Sequence, residues 1–273
     1  MNYKHFTSPT SFRFDIGVSF AKNTNKVVKI SDETDELVMF DTGRGVTLVA
    51  EEGKPYGTWK GQIATFDPNG NPIVAGGLPV YSSTLGAIGN VQPDWMGGLT
   101  SKIGYKNFSI NVLFDVRKGG QIYSTTKFYT EFNGTAVTTL IGDRKPFIIP
   151  NSVVAVTDAN GVVTYAPNTI PTIANAYLDD GNSGRNVLDG GFVKLRDVGL
   201  TYDIPTSFTN SLRIGRASLG LYARNLKFWL DKNNTFGDPE VNGPGTVAQN
   251  IIGVESSQTP PSRSFGFNLN IQF

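Results

Sequence analysis

From Phe265 to Phe273 the chain alternates without a break. Phe265, Phe267, Leu269, Ile271 and Phe273 are bulky and apolar, while Gly266, Asn268, Asn270 and Gln272 between them are small or polar. Successive strand side chains point to opposite faces, so a period of two predicts a strand with one apolar and one polar face. The pattern recurs. Over residues 11–21, Phe12, Phe14, Ile16, Val18 and Phe20 oppose Arg13, Asp15, Gly17, Ser19 and Ala21. Over 108–117, Phe108, Ile110, Val112, Phe114 and Val116 oppose Ser109, Asn111, Leu113, Asp115 and Arg117. Over 216–224, Ala217, Leu219, Leu221 and Ala223 oppose Arg216, Ser218, Gly220, Tyr222 and Arg224. Weaker strands are predicted at 27–30, extending toward 50, at 99–105, and at 192–202, where Lys194 and Arg196 share a face with Phe192, Val198 and Leu200.

Alternation alone also fits a soluble antiparallel sandwich with one face on its core. The connections separate the two readings. Residues 22–26, 106–107 and 203–215 are short, turn-rich links, whereas 50–96, 118–191 and 230–262 are long and dense in Gly, Pro, Asn and Asp. Structureless loops beyond about 15 residues are rare in compact soluble domains. Tight turns at one end and long loops at the other are the rule in transmembrane β-barrels, whose strands turn apolar residues to lipid and polar ones to the lumen. About 10 residues rising ~3.3 Å each and tilted ~45° also match the ~25 Å apolar band of such a barrel.

The sequence therefore predicts an all-β chain, an antiparallel transmembrane β-barrel portion of about seven strands with long extracellular loops. If the last strand ends on the periplasmic side, links 22–26, 106–107 and 203–215 lie inside and the long loops outside. Seven strands leave two open edges, and unpaired backbone groups in lipid cost several kcal/mol each. The sheet is expected to belong to a larger barrel.

Composition narrows the chemistry. With 24 Lys and Arg against 23 Asp and Glu there is no basic field for nucleic acid. There is no cysteine and one histidine, so disulfides, thiolate metal sites and imidazole catalysis have almost nothing to draw on. A Ser-His-Asp triad would need His5, in the first few residues. No apolar run approaches the ~18 residues of a membrane-spanning helix. The opening MNYKHFTSPTSF has neither the apolar core nor the cleavage site of a signal peptide.

Six stretches carry a family resemblance. Asp189-Gly-Gly-Phe-Val-Lys-Leu-Arg-Asp-Val-Gly-Leu-Thr-Tyr-Asp-Ile-Pro205 resembles a "dGsFlRLknvtLgYtlP" segment of the SusC/RagA family of TonB-linked outer-membrane proteins. Ala223-Arg-Asn-Leu-Lys-Phe-Trp229 followed by Gly237-Asp-Pro-Glu-Val241 is similar to its "grNLftw…DPEv", and residues 264–273 to its terminal strand. Pro93-Asp-Trp-Met-Gly-Gly-Leu99, Tyr105-Lys-Asn-Phe-Ser109 and Asp115-Val-Arg-Lys-Gly-Gly-Gln-Ile-Tyr123 follow the family's order and spacing.

The resemblance spans residues 1–273 and implies the C-terminal part of a 22-stranded TonB-dependent receptor barrel in the outer membrane, with plug domain and signal peptide not included. It further implies import of oligosaccharides, or peptides in some members, with a SusD-like surface lipoprotein and TonB as partners. It implies no cofactor and no enzymatic activity. Barrels of this kind carry a terminal strand ending in an aromatic residue that the barrel-assembly machinery reads. Phe265, Leu269, Ile271 and Phe273 are the corresponding positions.

Loops on a rigid scaffold carry recognition, and sugars stack on aromatic faces. Tyr56, Trp59, Tyr81 and Trp95 in the first long loop, with Phe128 and Tyr129 in the second, are the substrate-binding candidates. Packing of the loop itself, or anchoring at the membrane interface, is the competing role for each. Arg13, Asp15, Asp115, Arg117 and Arg224 are expected to face the lumen, as ion pairs or plug contacts. Asp67-Pro-Asn-Gly-Asn71 and Asp179-Asp-Gly-Asn-Ser-Gly184 cluster oxygens as calcium loops do, but lack the downstream Glu of an EF-hand, and turn chemistry accounts for both. No metal site is expected.

Two rival functions stay open at this stage. A stand-alone soluble carbohydrate-binding β-sandwich would bury the Phe12–Phe20 face against a second sheet. A small β-rich hydrolase would need a carboxylate pair such as Asp238 and Glu240, which flank Pro239 and read more simply as a turn.

Overall fold

The computed structural model describes residues 2–5, 12–178, 183–211, 213–240, 252–256 and 259–273. In chain order, β1 (Asn2–His5) and β2 (Arg13–Ala21) lead into a first excursion. It carries β3 (Glu36–Asp41), β4 (Val46–Glu51), β5 (Thr58–Ala64), the short β6 (Val74–Ala75) and β7 (Leu78–Pro79), and β8 (Tyr81–Asn90). The hairpin β9 (Trp95–Tyr105) and β10 (Phe108–Lys118) follows. A second excursion holds β11 (Gln121–Ser124), α1 (Thr125–Phe132), a kinked 3₁₀ stretch (Val137–Arg144), the hairpin β12 (Val153–Thr157) and β13 (Val163–Pro167), α2 (Ala174–Leu178) and β14 (Val187–Asp189). Then come β15 (Phe192–Asp203), α3 (Thr206–Ser211), β16 (Arg216–Leu230), β17 (Val254–Glu255) and β18 (Ser264–Gln272).

Seven strands form one antiparallel sheet in the order β1-β2-β9-β10-β15-β16-β18. The expected number of strands is found, with one member exchanged. Residues 27–50 contribute no strand to this sheet. Instead β2 pairs directly with β9, placing Phe14 opposite Ile103 and Val18 opposite Leu99. The expected inside turn at 22–26 is therefore the start of an excursion from 22 to 94, at the same end of the sheet as 119–191 and 231–263. The seventh strand is β1, paired on the outer edge of β2.

The register lines up one apolar face across the sheet. Phe14, Ile103, Ile110 and Leu200 lie in adjacent rows, and Leu221 sits opposite both Leu200 and Phe267. This face is open. Phe20 is 69%, Phe265 72% and Phe267 76% exposed, where a sandwich would have buried them.

Aromatic residues mark both ends of the face. Tyr105, Phe108 and Tyr202 stand in register at the tight-turn end, with the Phe108 and Tyr202 rings 4.7 Å apart. Trp95 packs on Phe20 at 5.8 Å at the other end, where Trp229 also lies. Trp95 and Tyr105 are ten residue steps apart along β9. At ~3.3 Å each and a ~45° tilt they span about 23 Å, close to the apolar band of a barrel wall. Two aromatic rows at that separation are the arrangement found at the two membrane interfaces.

The mixed alternation of β15 has a local cause. Its register against β10 steps between Leu113 and Phe114, and Arg196 is the extra residue of a bulge. Inserting one residue moves all that follows to the other face. Val193 and Leu195 thus join Val198 and Leu200 on the apolar face, and Phe192 and Lys194 turn inward, where both are buried.

Above the sheet the three excursions share one core. Strands β3-β4-β5-β8 make a four-stranded sheet, and β14-β11-β17 a three-stranded one that knits the second excursion to the third. Between them pack Val46, Leu48, Trp59, Val91, Tyr123 and Val254. The change of direction from β10 into β11 needs two residues at positive φ, Gly119 (69°) and Gly120 (76°). A Cβ on Gly120 would lie 2.5 Å from Arg117 Nη2, so the Gly-Gly pair is required twice over.

Candidate functional site: the mouth of the sheet

The inner face meets the excursions at a cluster of charges. Lys194 and Arg196, two apart on β15, reach Asp238 and Glu240, two apart around Pro239 in the third excursion. Lys194 pairs with both carboxylates. Arg196 pairs with Glu240 and, at 2.8 and 3.2 Å, with Asp115 on β10. Lys194 and Asp238 side chains are each only 5% exposed, so the pair is buried, and buried charge persists only when matched and hydrogen-bonded. Burial raises the Glu240 carboxyl, but hydrogen bonds from Arg196 and Lys194 outweigh it and hold the group below its usual 4.5.

A second anchor ties the third excursion to the second. Ser124 caps α1 by accepting from Lys127 N at 3.1 Å. Glu255 from β17 closes over the same helix end. Its carboxylate accepts from the Ser124 hydroxyl (2.7 Å), Thr126 N (3.1 Å) and the Thr126 hydroxyl (2.5 Å). An anion there complements the helix dipole. Farther along α1, burial depresses the Lys127 ammonium below 10.5 although it donates to Glu131 (3.0 Å) and Asn186 (3.2 Å).

Beside these anchors lies a cavity of about 330 Å³, lined by Thr126, Tyr129 and Thr130 of α1, 236–238, Glu255 and 259–261. A wider groove of about 500 Å³ runs along the inner face past Asp15, Thr100, Lys102, Asn111 and Asp197.

The aromatic candidates scatter. Trp59 is fully buried, its indole N–H donating to Gln121 O at 3.2 Å and its ring 6.0 Å from Tyr123, so it presents no face to a ligand. Phe128 is 7% exposed, beneath the Arg44 guanidinium at 3.9 Å. Trp95 lies on the apolar outer face. Tyr81 starts β8 opposite Ala64, half-buried. Tyr56 is exposed, with its N–H on Asn25 Oδ1 at 2.8 Å. Tyr129, 52% exposed, is the one of the six that lines the cavity near the charge cluster.

The charged candidates all belong to the face opposite the apolar one. Arg13 stands opposite Gly104 and Asp15 opposite Lys102, while Asp115 receives Arg196. Arg117 donates to Val91 O (3.0 Å) and Gly119 O (3.3 Å), and Arg224 to Asp197 (3.3 Å). Phe265, Leu269, Ile271 and Phe273 line the open edge strand, Phe273 at 94% exposure. Asp67 closes a turn, accepting at 2.8 Å from Asn69 N and Asn71 N and at 3.0 Å from the Asn71 side chain. Residues 179–182 of the other oxygen-rich stretch, Ser11 and Val241 lie outside the described residues. No helix among the described residues is long and apolar enough to cross a membrane, which leaves strands untouched.

Comparison with known proteins agrees with this geometry. The chain is 25% identical, over its whole length, to TonB-dependent receptor P3 of Formosa agariphila, and 26% identical over 96% of its length to TonB-dependent receptor P26 of the same organism. It spans 28% and 27% of those receptors. Its fold matches a chain of the RagAB peptide importer in the closed-closed state (TM-score 0.65, 19% identity) and the open-open state (TM-score 0.64, 18% identity), covering 100% of this chain and 28% of that one. No family model matches. The resemblance to SusC/RagA-type TonB-dependent receptors, read from the six sequence stretches, is borne out by sequence and fold together. The seven-stranded sheet has the fold of a portion of a β-barrel of that kind.

Proposed function

We propose that the chain is the C-terminal barrel part of an outer-membrane receptor that imports nutrient oligomers, oligosaccharides or peptides, by TonB-dependent gating. The observation that carries this is the continuous exposed apolar face between two aromatic rows, backed by a polar face. A lipid exterior rewards that pattern. Arg13, Asp15, Asp115, Arg117 and Arg224 line the lumen in this reading, and Phe265, Leu269, Ile271 and Phe273 form the strand on which the barrel-assembly machinery acts. The joined excursions face outside, where a SusD-like lipoprotein covers them. Binding and gating do the work, without covalent chemistry.

The test is deletion of the receptor that carries this segment, followed by growth and uptake on defined peptides and oligosaccharides, with and without TonB. Loss of uptake of one class in both deletions is expected. Unchanged uptake of every class, or recovery of the receptor in the soluble fraction, refutes the reading.

A further inference from the structure

We propose that the cavity of about 330 Å³ between α1 and residues 236–238 binds one sugar ring, recognised through Asp238 Oδ2 and the hydroxyls of Tyr129 and Thr259. The inference rests on the import reading above and sharpens it from nutrient oligomers to a hydroxyl-bearing ring at named residues.

The polar groups of the cavity wall divide into those the protein uses and those it leaves over. The Thr126 hydroxyl donates to Glu255, and the Thr130 hydroxyl to Thr126 O at 2.7 Å. Both oxygens of Glu255 accept, from Ser124 and Thr126. Asp238 accepts from Lys194 and, at 3.0 Å, from Glu240 N, in both cases through Oδ1. Among the described residues nothing hydrogen-bonds to Asp238 Oδ2 or to the side-chain hydroxyls of Tyr129 and Thr259, and all three residues line the cavity. The Asp238 side chain is 5% exposed and held by Lys194. Its spare oxygen is an acceptor fixed in place before a ligand arrives, and a buried acceptor is stable only when a donor meets it. The rings of Tyr129 and Phe236 and the consecutive Pro260 and Pro261 make the rest of the wall apolar. An apolar wall with a few fixed polar groups is the usual form of a small-molecule site.

This set of groups discriminates between ligands. An apolar group would leave three polar groups stripped of water and unmatched, each weakening binding by roughly tenfold. An anion would face the carboxylates of Asp238 and Glu255. An ammonium suits Asp238 but offers no acceptor to the Tyr129 and Thr259 protons. A ring bearing neighbouring hydroxyls donates to Oδ2 and exchanges hydrogen bonds with both hydroxyls. Its C–H face can lie on an aromatic ring.

The experiment is a saturation-transfer NMR titration of the purified receptor carrying this segment, in an amine-oxide detergent so that no sugar headgroup competes. The probes are the methyl pyranosides of glucose, galactose, mannose and xylose. Cyclohexylmethanol and cyclohexylamine serve as six-membered rings without the neighbouring hydroxyls. At least one glycoside is expected to bind, and more tightly than either cyclohexyl probe. Tyr129→Phe and Thr259→Val each remove one hydroxyl and keep the shape of the side chain, and each should weaken that glycoside about three- to tenfold. Hydrogen exchange of 231–240 should not change in either, because the Lys194–Asp238 pair is left in place.

The site is overturned if no glycoside binds, if either variant leaves the glycoside affinity unchanged, or if a cyclohexyl probe binds more tightly. Should any of these occur while receptor deletion still abolishes uptake, the site is refuted and the import reading stands. A glycoside that binds and responds to both variants while uptake is unaffected by the deletion keeps the site and refutes import.

Discussion

Replacing Lys194 with methionine keeps the length of the side chain and removes its charge, leaving Asp238 buried without an ion partner. The aliphatic part of Lys194 lies on the inner face beneath the third excursion, and among the described residues its ammonium is the sole cation paired with Asp238. Breaking a buried pair from one side costs about 3–5 kcal/mol, because the remaining charge is uncompensated. The Glu240 arm adds little. Its side chain is 35% exposed and keeps Arg196, so its loss is that of a partly screened pair, about 1 kcal/mol or less. The cost should appear as opening of residues 231–240 rather than as loss of the barrel, because the sheet's own ladder is untouched. Hydrogen exchange of the detergent-solubilised receptor measures this directly. Amides of 231–240 should exchange about two to four decades faster in Lys194→Met, at ~1.4 kcal/mol per decade. Lys194→Met combined with Asp238→Leu should recover most of the protection, since it removes both charges. A single variant that exchanges within about threefold of the parent, or a double variant no better protected than the single, would show that the cluster does not hold the excursion.

Glu240 sets a pH window for the same contact. Its carboxyl is held below 4.5 in the folded state, so its contribution is fully present above the unfolded value and is lost as pH falls through the folded one. Protection of 231–240, corrected for intrinsic exchange, should stay level from pH 8 to 5 and fall only below about 4.5, with Glu240→Gln lower at neutral pH; a decline between pH 7 and 5 contradicts this. Phe267→Lys on the apolar face should cost about 2–4 kcal/mol and reduce the assembled, heat-modifiable receptor in outer membranes, whereas Asn268→Lys on the opposite face should leave its yield unchanged. Trp59→Ala should remove about 3–5 kcal/mol from the core of the excursions, read as faster exchange in β4, β5 and β11 with β16 and β18 unaffected.

The sequence revealed most of the wall and little of the mouth, and the division is physical. A strand in a lipid-facing sheet records its own environment every second residue, so β2, β10, β16 and β18 could be read one at a time. Strand β15 resisted because Arg196 inserts a residue and exchanges its faces, which shows only once Phe114 is seen opposite Leu195 and Val112 opposite Val198. In the first excursion, Trp59 reads as a loop aromatic because two residues of its core cluster, Tyr123 and Val254, come from the other two excursions. No local pattern marks it as core.

The charge cluster is the instructive case. Asp238 and Glu240 were visible as two carboxylates around Pro239, and Lys194 and Arg196 as two cations inside an apolar strand, each pair two residues apart. Neither pair explains itself. A strand that places two cations on its inner face must match them when an excursion covers it, and a turn that presents two carboxylates with the same spacing is the complementary piece, 44 residues away. Spacing of like charges in one element, set against the same spacing of opposite charges in a distant turn, is a signal that a sequence can carry. Here it points to the place where the third excursion is fixed to the seven-stranded sheet.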